Sequence, residues 1–329
     1  MMKGGEILPI ESPRLVQTDR RRFLKLSATA AAALVFEHTS FAQKAPAQGY
    51  KPFALGLLIK PHPNPDEKIA VVRQLGIPTC FLSLDNYIGK FTPALASTMR
   101  DSLNKHQVIA TTAEVVNPQP LKWNFMEGPS TIGVVPRAYR ATRIDALKQT
   151  SDFAKLLGIG QIQTHCGFIP ENPHDPLYEE TVAAIRELTL YCANNGQSFL
   201  METGQETPTT MLRVIRDVNH PALGVGLDTA NLILYGKANP VDAVKILGPY
   251  VRATHAKDGK WPTNPSELGE EVVIGKGDVD FAKVITGLRA AGYNGALTIE
   301  RETSGPQQIE DVRQEKLYLE RILAQTKSP

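Results

Sequence analysis

Cysteine is scarce in this chain. Cys80, Cys166 and Cys192 stand far apart in 329 residues. Their spacing matches no metal-binding motif, and an odd number leaves no complete set of disulfides. They read as small buried hydrophobes. Net charge is scarcer still. Thirty-six Lys and Arg face 34 Asp and Glu, and the surplus of two lies within residues 1–42, which hold six basic and four acidic side chains. The rest of the chain is formally neutral, which argues against nucleic acid or an anionic membrane as its main partner. Only six histidines follow residue 42, and with no basic stripe they do not suit a multi-zinc nuclease. The apolar run at 26–36 is too short to span a bilayer as a stable anchor.

That run has a different use. It reads "LSATAAAALVF", follows "DRRRFLK" at 19–25, and precedes "HTSFAQ", where Ser40 and Ala42 are placed for cleavage after Ala42. A later alternative is "APA" at 45–47. Basic region, short apolar core and small-residue cleavage site in that order make a signal peptide. The paired arginines before Phe-Leu-Lys resemble the twin-arginine export signal. That route carries folded proteins, so a metal chosen in the cytoplasm can travel with the chain, and unpaired cysteines are expected. The expected plan is a signal peptide at 1–42, a linker at 43–50 and a single body at 51–325, exported to the periplasm.

In the body, short β-rich runs alternate with longer amphipathic ones. Strands are expected at 53–60, 79–84, 108–116, 161–166, 198–203, 223–229, 252–257 and 296–301. Helices are expected at 65–76, 92–106, 140–157, 177–195, 207–218, 239–249, 280–291 and 306–325. Thr207-Pro208 and Asn239-Pro240 pair a cap with proline at the first helical position. Glycines in "LLGIG", "NNG" and "AAGYNG" mark helix ends. Eight β/α units over this length make an α/β fold, the (β/α)8 TIM barrel. A doubly wound open sheet would need a Gly-rich phosphate turn after its first strand, and "KPHPNP" stands there instead. The longer connections, 117–139 and 259–279, follow strands and so belong to the catalytic end.

Four strands in a row end in a chemically loaded residue: Glu202, Asp228, His255 and Glu300. Consecutive strand tops are neighbours in a barrel, so these side chains converge at the C-terminal mouth. Three carboxylates at one point must share protons or hold a cation. Three oxygens and one imidazole suit a single divalent ion, Mn2+ foremost, with Co2+, Mg2+, Zn2+ and Fe2+ as alternatives. Any one of the four alone would read as a cap, an ion pair or a hydrogen-bonded core residue.

The stretches "METGQE" (201–206), "GVGLDTANLILYG" (224–236), "HAKDG" (255–259), "GKGDVDF" (275–281) and "YNGALTIERE" (293–302) resemble the xylose isomerase-like barrels known as sugar phosphate isomerases/epimerases. The resemblance covers roughly residues 50–325. It implies that Glu202, Asp228, His255 and Glu300 are the ligands of one divalent metal. It also implies an isomerase that moves a proton beside a carbonyl through an enediolate, on a keto-sugar or 3-keto-glycoside. Glu202 and Glu300 are the expected acid–base pair. A lyase or dehydratase on the same substrates, or a non-catalytic sugar-binding barrel, would use the same pocket.

His165, Glu206, Asn231 and Lys257 are the expected substrate contacts, with Glu114 at the end of the third strand a weaker candidate. His165 also reads as a strand-end hydrogen-bonding residue, and Glu206 as an acid favouring the start of the next helix. Gly204 is expected to let the backbone turn away at the mouth. Several sugar epimerases of this kind carry a His three residues after the sixth-strand Asp, where this chain has Asn231. An amide binds a hydroxyl but carries no proton near neutral pH. No Lys/Arg-rich or Gly-rich phosphate cradle stands out, so a non-phosphorylated sugar is expected. Barrels of this kind often associate, which leaves a homo-oligomer open.

Overall fold

The computed structural model describes residues 49–116 and 118–326. The signal peptide expected at 1–42 and most of the linker expected at 43–50 lie outside the described residues. Eight parallel strands close into a barrel: β1 (Leu55–Ile59), β2 (Thr79–Ser83), β3 (Ile109–Glu114), β4 (Gln161–His165), β5 (Ser198–Glu202), β6 (Leu223–Asp228), β7 (Val251–Ala256) and β8 (Leu297–Ile299). Each pairs with its neighbours in sequence, and β8 closes on β1 with Leu55 opposite Leu297. One main helix follows each strand: α1 (Pro65–Gln74), α2 (Pro93–His106), α3 (Arg137–Leu156), α4 (Pro176–Asn194), α5 (Pro208–Val218), α6 (Pro240–Leu247), α7 (Phe281–Ala290) and α8 (Gly305–Gln325). This is the expected (β/α)8 barrel.

Local chemistry sets the helix ends. Asn64, Thr92, Asp175, Thr207 and Asn239 each accept a first-turn backbone N–H, and each precedes a proline that begins the helix. Such a cap contributes about 1 kcal/mol, and proline there gives up an N–H that had no partner. Gly158, Gly196 and Gly292, at the expected helix ends, adopt φ of 74°, 75° and 83°, a region that costs other residues strain. All three cysteines are buried and free.

The main apolar core lies between strands and helices. A second, small cluster of Phe81, Leu200 and Ala253, with Leu58 against it, is separate. Leu200 and Ala253 precede Glu202 and His255 by two residues on β5 and β7, so they share a face with them one pleat lower. The charged layer at the mouth therefore stands on an apolar floor inside the barrel.

Two features went beyond the expected loops. The connection after β3 carries a one-turn helix, Gly128–Thr131, and its last residues already belong to α3. In the connection after β7, Asp258–Gly259 pairs antiparallel with Glu271–Val272. Strands this short leave no periodicity to read. Asp258 organises that connection. Its carboxylate accepts N–H groups from Gly259 (2.9 Å), Gly275 (2.8 Å), Gly277 (3.0 Å) and Val279 (3.1 Å). A Cβ at Gly277 would stand 2.2 Å from Asp258 Oδ1. The "KDG" and "GKGDVDF" stretches thus serve one loop closure.

Candidate metal and active site

Strand register brings the expected residues to one level. His165 pairs across from Glu202, and Asp228 from His255. Glu300 follows β8 directly, and its backbone N–H donates to Ala256 O at 3.1 Å. One ligand atom each from Glu202, Asp228, His255 and Glu300 can be chosen so that all four lie within 4.8 Å of one another. His255 Nδ1 is 3.1 Å from Glu202 Oε1, 2.9 Å from Glu300 Oε2 and 4.0 Å from Asp228 Oδ2. Glu202, Asp228 and His255 are buried and Glu300 is half-buried.

These donors fit a divalent cation. Asp228 Oδ1 accepts the Asn231 N–H at 2.7 Å, while Oδ2 is buried without an N–H donor among the described residues. A buried carboxylate oxygen left this way costs energy unless a cation or proton balances it. The carboxylate-rich donor set with one imidazole and no thiolate is that of Mn2+, Mg2+ or a similar ion.

The field around the site is divided. Burial opposes ionisation of Glu202, but His165 and His255 outweigh it and hold the carboxyl below the ordinary range. Burial opposes Glu300 too, and Lys257 and His255 pull it well below that range. Burial drives Asp228 well above the carboxylate range despite the pull of Lys257. Burial, then the nearby Glu202, pushes Glu114 up. Burial works against charge on His255 and Lys257, yet Glu300 first, then Glu202 for His255 and Glu302 for Lys257, raises both.

The expected substrate contacts divide as well. Lys257 is buried, with Nζ 3.5 Å from Glu300 Oε1, 3.9 Å from Asp228 Oδ2 and 3.4 Å from Asn231 Oδ1. Its ammonium also pairs closely with Glu302 at the rim. His165 Nε2 is 3.3 Å from Glu202 Oε2, and Nδ1 faces the Gln205 amide. Asn231 Nδ2 donates to Glu202 Oε1 at 3.4 Å. Glu114 Oε2 lies behind the imidazole, 3.8 Å from His255 Nε2.

Glu206, expected as a substrate contact or as an acid favouring the start of α5, is buried. Thr207 caps α5, whereas Glu206 is 2% exposed and neither carboxylate oxygen has a partner in another residue among those described. Burial pushes it up to about 8. Gly204 lies in the bend that follows β5, with a φ outside the left-handed region. What it supplies is room: a Cβ there would stand 3.1 Å from Asn231 Cβ and 3.4 Å from the Tyr235 ring.

Three residues of the site escaped the sequence reading. Gln163 Nε2 donates to Glu202 Oε2 at 3.1 Å and reaches Glu114 Oε2 at 3.5 Å. A Cβ on Gly226 would stand 1.8 Å from Gln163 Oε1, so glycine there admits the amide. Alternation in "QIQTH" puts Gln161, Gln163 and His165 on one face, and that polar face was the available signal. Glu302, two residues beyond Glu300, was equally within reach. Trp123 lies edge-on to His165 with ring centroids 5.1 Å apart, and nothing local in the sequence announces it.

The chain matches, over residues 69–322, the family described as Xylose isomerase-like TIM barrel. It belongs to that family. Among solved structures of xylose isomerase-like barrels, a xylose isomerase domain protein from Planctomyces limnophilus is 31% identical with a TM-score of 0.75, covering 83% of this chain and 97% of that one. A D-psicose 3-epimerase solved in the presence of D-fructose shares the fold at 18% identity and a TM-score of 0.63, covering 82% of this chain and 99% of that one. The uncharacterised protein MJ1311 of Methanocaldococcus jannaschii is 23% identical over 174 residues, which are 50% of this chain and 58% of the relative. The chain thus spans little more than half the length of that relative.

Proposed function

We propose that this chain is a divalent-metal-dependent sugar isomerase or epimerase that moves a proton beside a carbonyl of a non-phosphorylated keto-sugar or keto-glycoside. The observation that carries the reading is the placement of Glu202 and Glu300. Carboxylates from β5 and from the end of β8 approach the same nitrogen, His255 Nδ1, at 3.1 and 2.9 Å. Two carboxylates flanking one small volume suit removal of a proton by one and its return by the other. The fold shared with D-psicose 3-epimerase supports the same class of chemistry.

Glu202, Asp228, His255 and Glu300 would hold the ion, Mn2+ foremost. When bound it supplies a fixed positive charge that polarises a carbonyl and stabilises developing negative charge. Glu202 is oriented by Gln163, Asn231 and His165. Lys257 places a buried positive charge beside Glu300. Asn231, also bonded to Lys257, offers hydrogen bonds to a substrate hydroxyl but no proton transfer. The apolar layer of Leu58, Phe81, Leu200 and Ala253 below keeps the local dielectric low and makes each of these charges act more strongly. Export by the twin-arginine route belongs to the same reading and brings extracellular glycosides within reach.

The test is exchange. The purified chain with Mn2+ and a 3-keto-glucoside in D2O is expected to place deuterium at the carbon beside the ketone. Absence of exchange across a panel of keto-sugars and keto-glycosides would overturn the reading.

A further inference from the structure

Trp123 keeps 42% of its surface exposed, yet its ring meets His165, whose Nε2 is 3.3 Å from Glu202 Oε2. A single imidazole therefore separates an exposed indole from a carboxylate of the metal cluster. Other rings gather on the same side. Phe125, from the same loop, and Phe168, just after β4, both meet Tyr235 edge-on, at 6.4 and 5.7 Å between centroids. Tyr235 follows the β6 residues of the cluster and packs over Gly204. A Cβ on Gly128 would stand 2.8 Å from the Phe168 ring, so glycine there lets the Trp123 loop close on it. Three loops thus place aromatic rings beside the cluster.

The loop carrying the indole is firmly held. Arg143 of α3 is buried, and its guanidinium donates to Gly133 O (2.7 Å), Pro120 O (2.7 Å) and Pro118 O (3.1 and 3.2 Å). Val134 N–H donates to Cys166 O at 2.9 Å. A Cβ on Gly133, whose φ is 73°, would lie 2.0 Å from that same oxygen. An exposed indole on a loop so fixed binds a flat partner with little further ordering. Apolar ring surface beside a few convergent polar groups is the make-up of a small-molecule subsite, and the C–H face of a pyranose is a partner of matching shape.

We infer that Trp123 is the platform for a second ring, and that the substrate is therefore a glycoside. Its reacting sugar lies at the Glu202–Glu300 cluster, and its aglycone or second sugar ring lies on the indole beyond His165. This rests on the sugar reading above and narrows it from any keto-sugar to two-ring substrates.

Binding and turnover separate the two claims. The chain has two tryptophans, so Trp261→Phe leaves Trp123 as the only fluorophore of its kind. Titrating that Mn2+-loaded variant with cellobiose is expected to shift the indole emission, with methyl β-glucoside binding at least tenfold more weakly. By calorimetry the preference disappears in Trp123→Ala and survives in Trp123→Phe, which excludes general damage to the loop. Equal affinity for the two ligands, or a preference that persists in Trp123→Ala, would overturn the inference. Deuterium exchange into the 3-keto forms is scored separately. A disaccharide preference without exchange removes the proton-transfer reading and leaves the platform. Exchange with an equal rise in KM for both substrates in Trp123→Ala removes the platform and leaves the chemistry.

Discussion

Asp228 and Asp258 lie at the exits of neighbouring strands, and both are fully buried. Their surroundings are opposite. Asp258 accepts four backbone N–H groups, so its charge is satisfied by the chain itself. Asp228 uses one oxygen for the Asn231 N–H and leaves the other without an N–H donor among the described residues, beside the two further carboxylates of Glu202 and Glu300. One aspartate completes a loop, whereas the other leaves an oxygen for a cation or a shared proton to balance. A buried acid in a barrel mouth is thus assigned by what the protein withholds from it.

The largest effect should come from the unsatisfied region. Glu202→Gln and Glu300→Gln each keep the side-chain volume and remove a proton carrier. Each is expected to slow deuterium exchange by about a thousandfold, the range of a lost general acid or base, when measured by mass spectrometry at saturating Mn2+. An unaltered rate in either would break the pairing of the two carboxylates.

The satisfied aspartate should report in stability instead. Asp258→Ala strands four N–H groups and is expected to cost about 4 kcal/mol in chemical unfolding. Asp228→Asn, measured without metal, should be nearly neutral, because burial and the neighbouring Glu300 and Glu202 already disfavour a charge on this carboxyl. If the two variants lost equal stability, the contrast would fail.

Gln163 sharpens the comparison at the next level. Gln163→Leu removes the donor to Glu202 while filling similar space, and should weaken Mn2+ binding about tenfold to a hundredfold, as expected for a group that orients a ligand. Gly226→Ala, which forces the amide aside, should do the same by titration calorimetry. Wild-type affinity in both would leave Gln163 as barrel filling only.

The last comparison concerns Glu206, the buried acid with neither cage nor cation. Its folded value of about 8 stands above the ordinary 4.5. Between those values the folded chain holds a proton that the unfolded chain has released, so its contribution to stability falls as pH rises through that window. Glu206→Gln removes the dependence. The variant is expected to gain on the wild type steadily from about pH 4.5 to pH 8 in urea unfolding, and a pH-independent difference would contradict the assignment.

The barrel and the convergence of Glu202, Asp228, His255 and Glu300 were legible because both rest on short-range regularities. Alternation and caps mark the elements, and one β/α unit separates Glu202 from Asp228 and Asp228 from His255. What was not legible depends on distant partners. Glu206 and Asp258 look alike as acids near strand ends, and only the fold gives one of them a cage. Gln163 gains its meaning from the absence of a side chain at Gly226, two strands away. Trp123 is read through His165, which belongs to the next strand, and Gly204 serves a close approach that its own backbone does not announce.

The central claim is that the chain leaves Glu202, Asp228, His255 and Glu300 for a cation to complete. Metal stoichiometry of the purified chain tests it most directly. After chelation and titration with Mn2+, one ion per chain is expected, raising stability by about 2.7 kcal/mol at a free concentration a hundredfold above Kd. Asp228→Asn should lose both binding and stabilisation. No saturable binding by the wild type, or undiminished binding by the variant, would contradict the account.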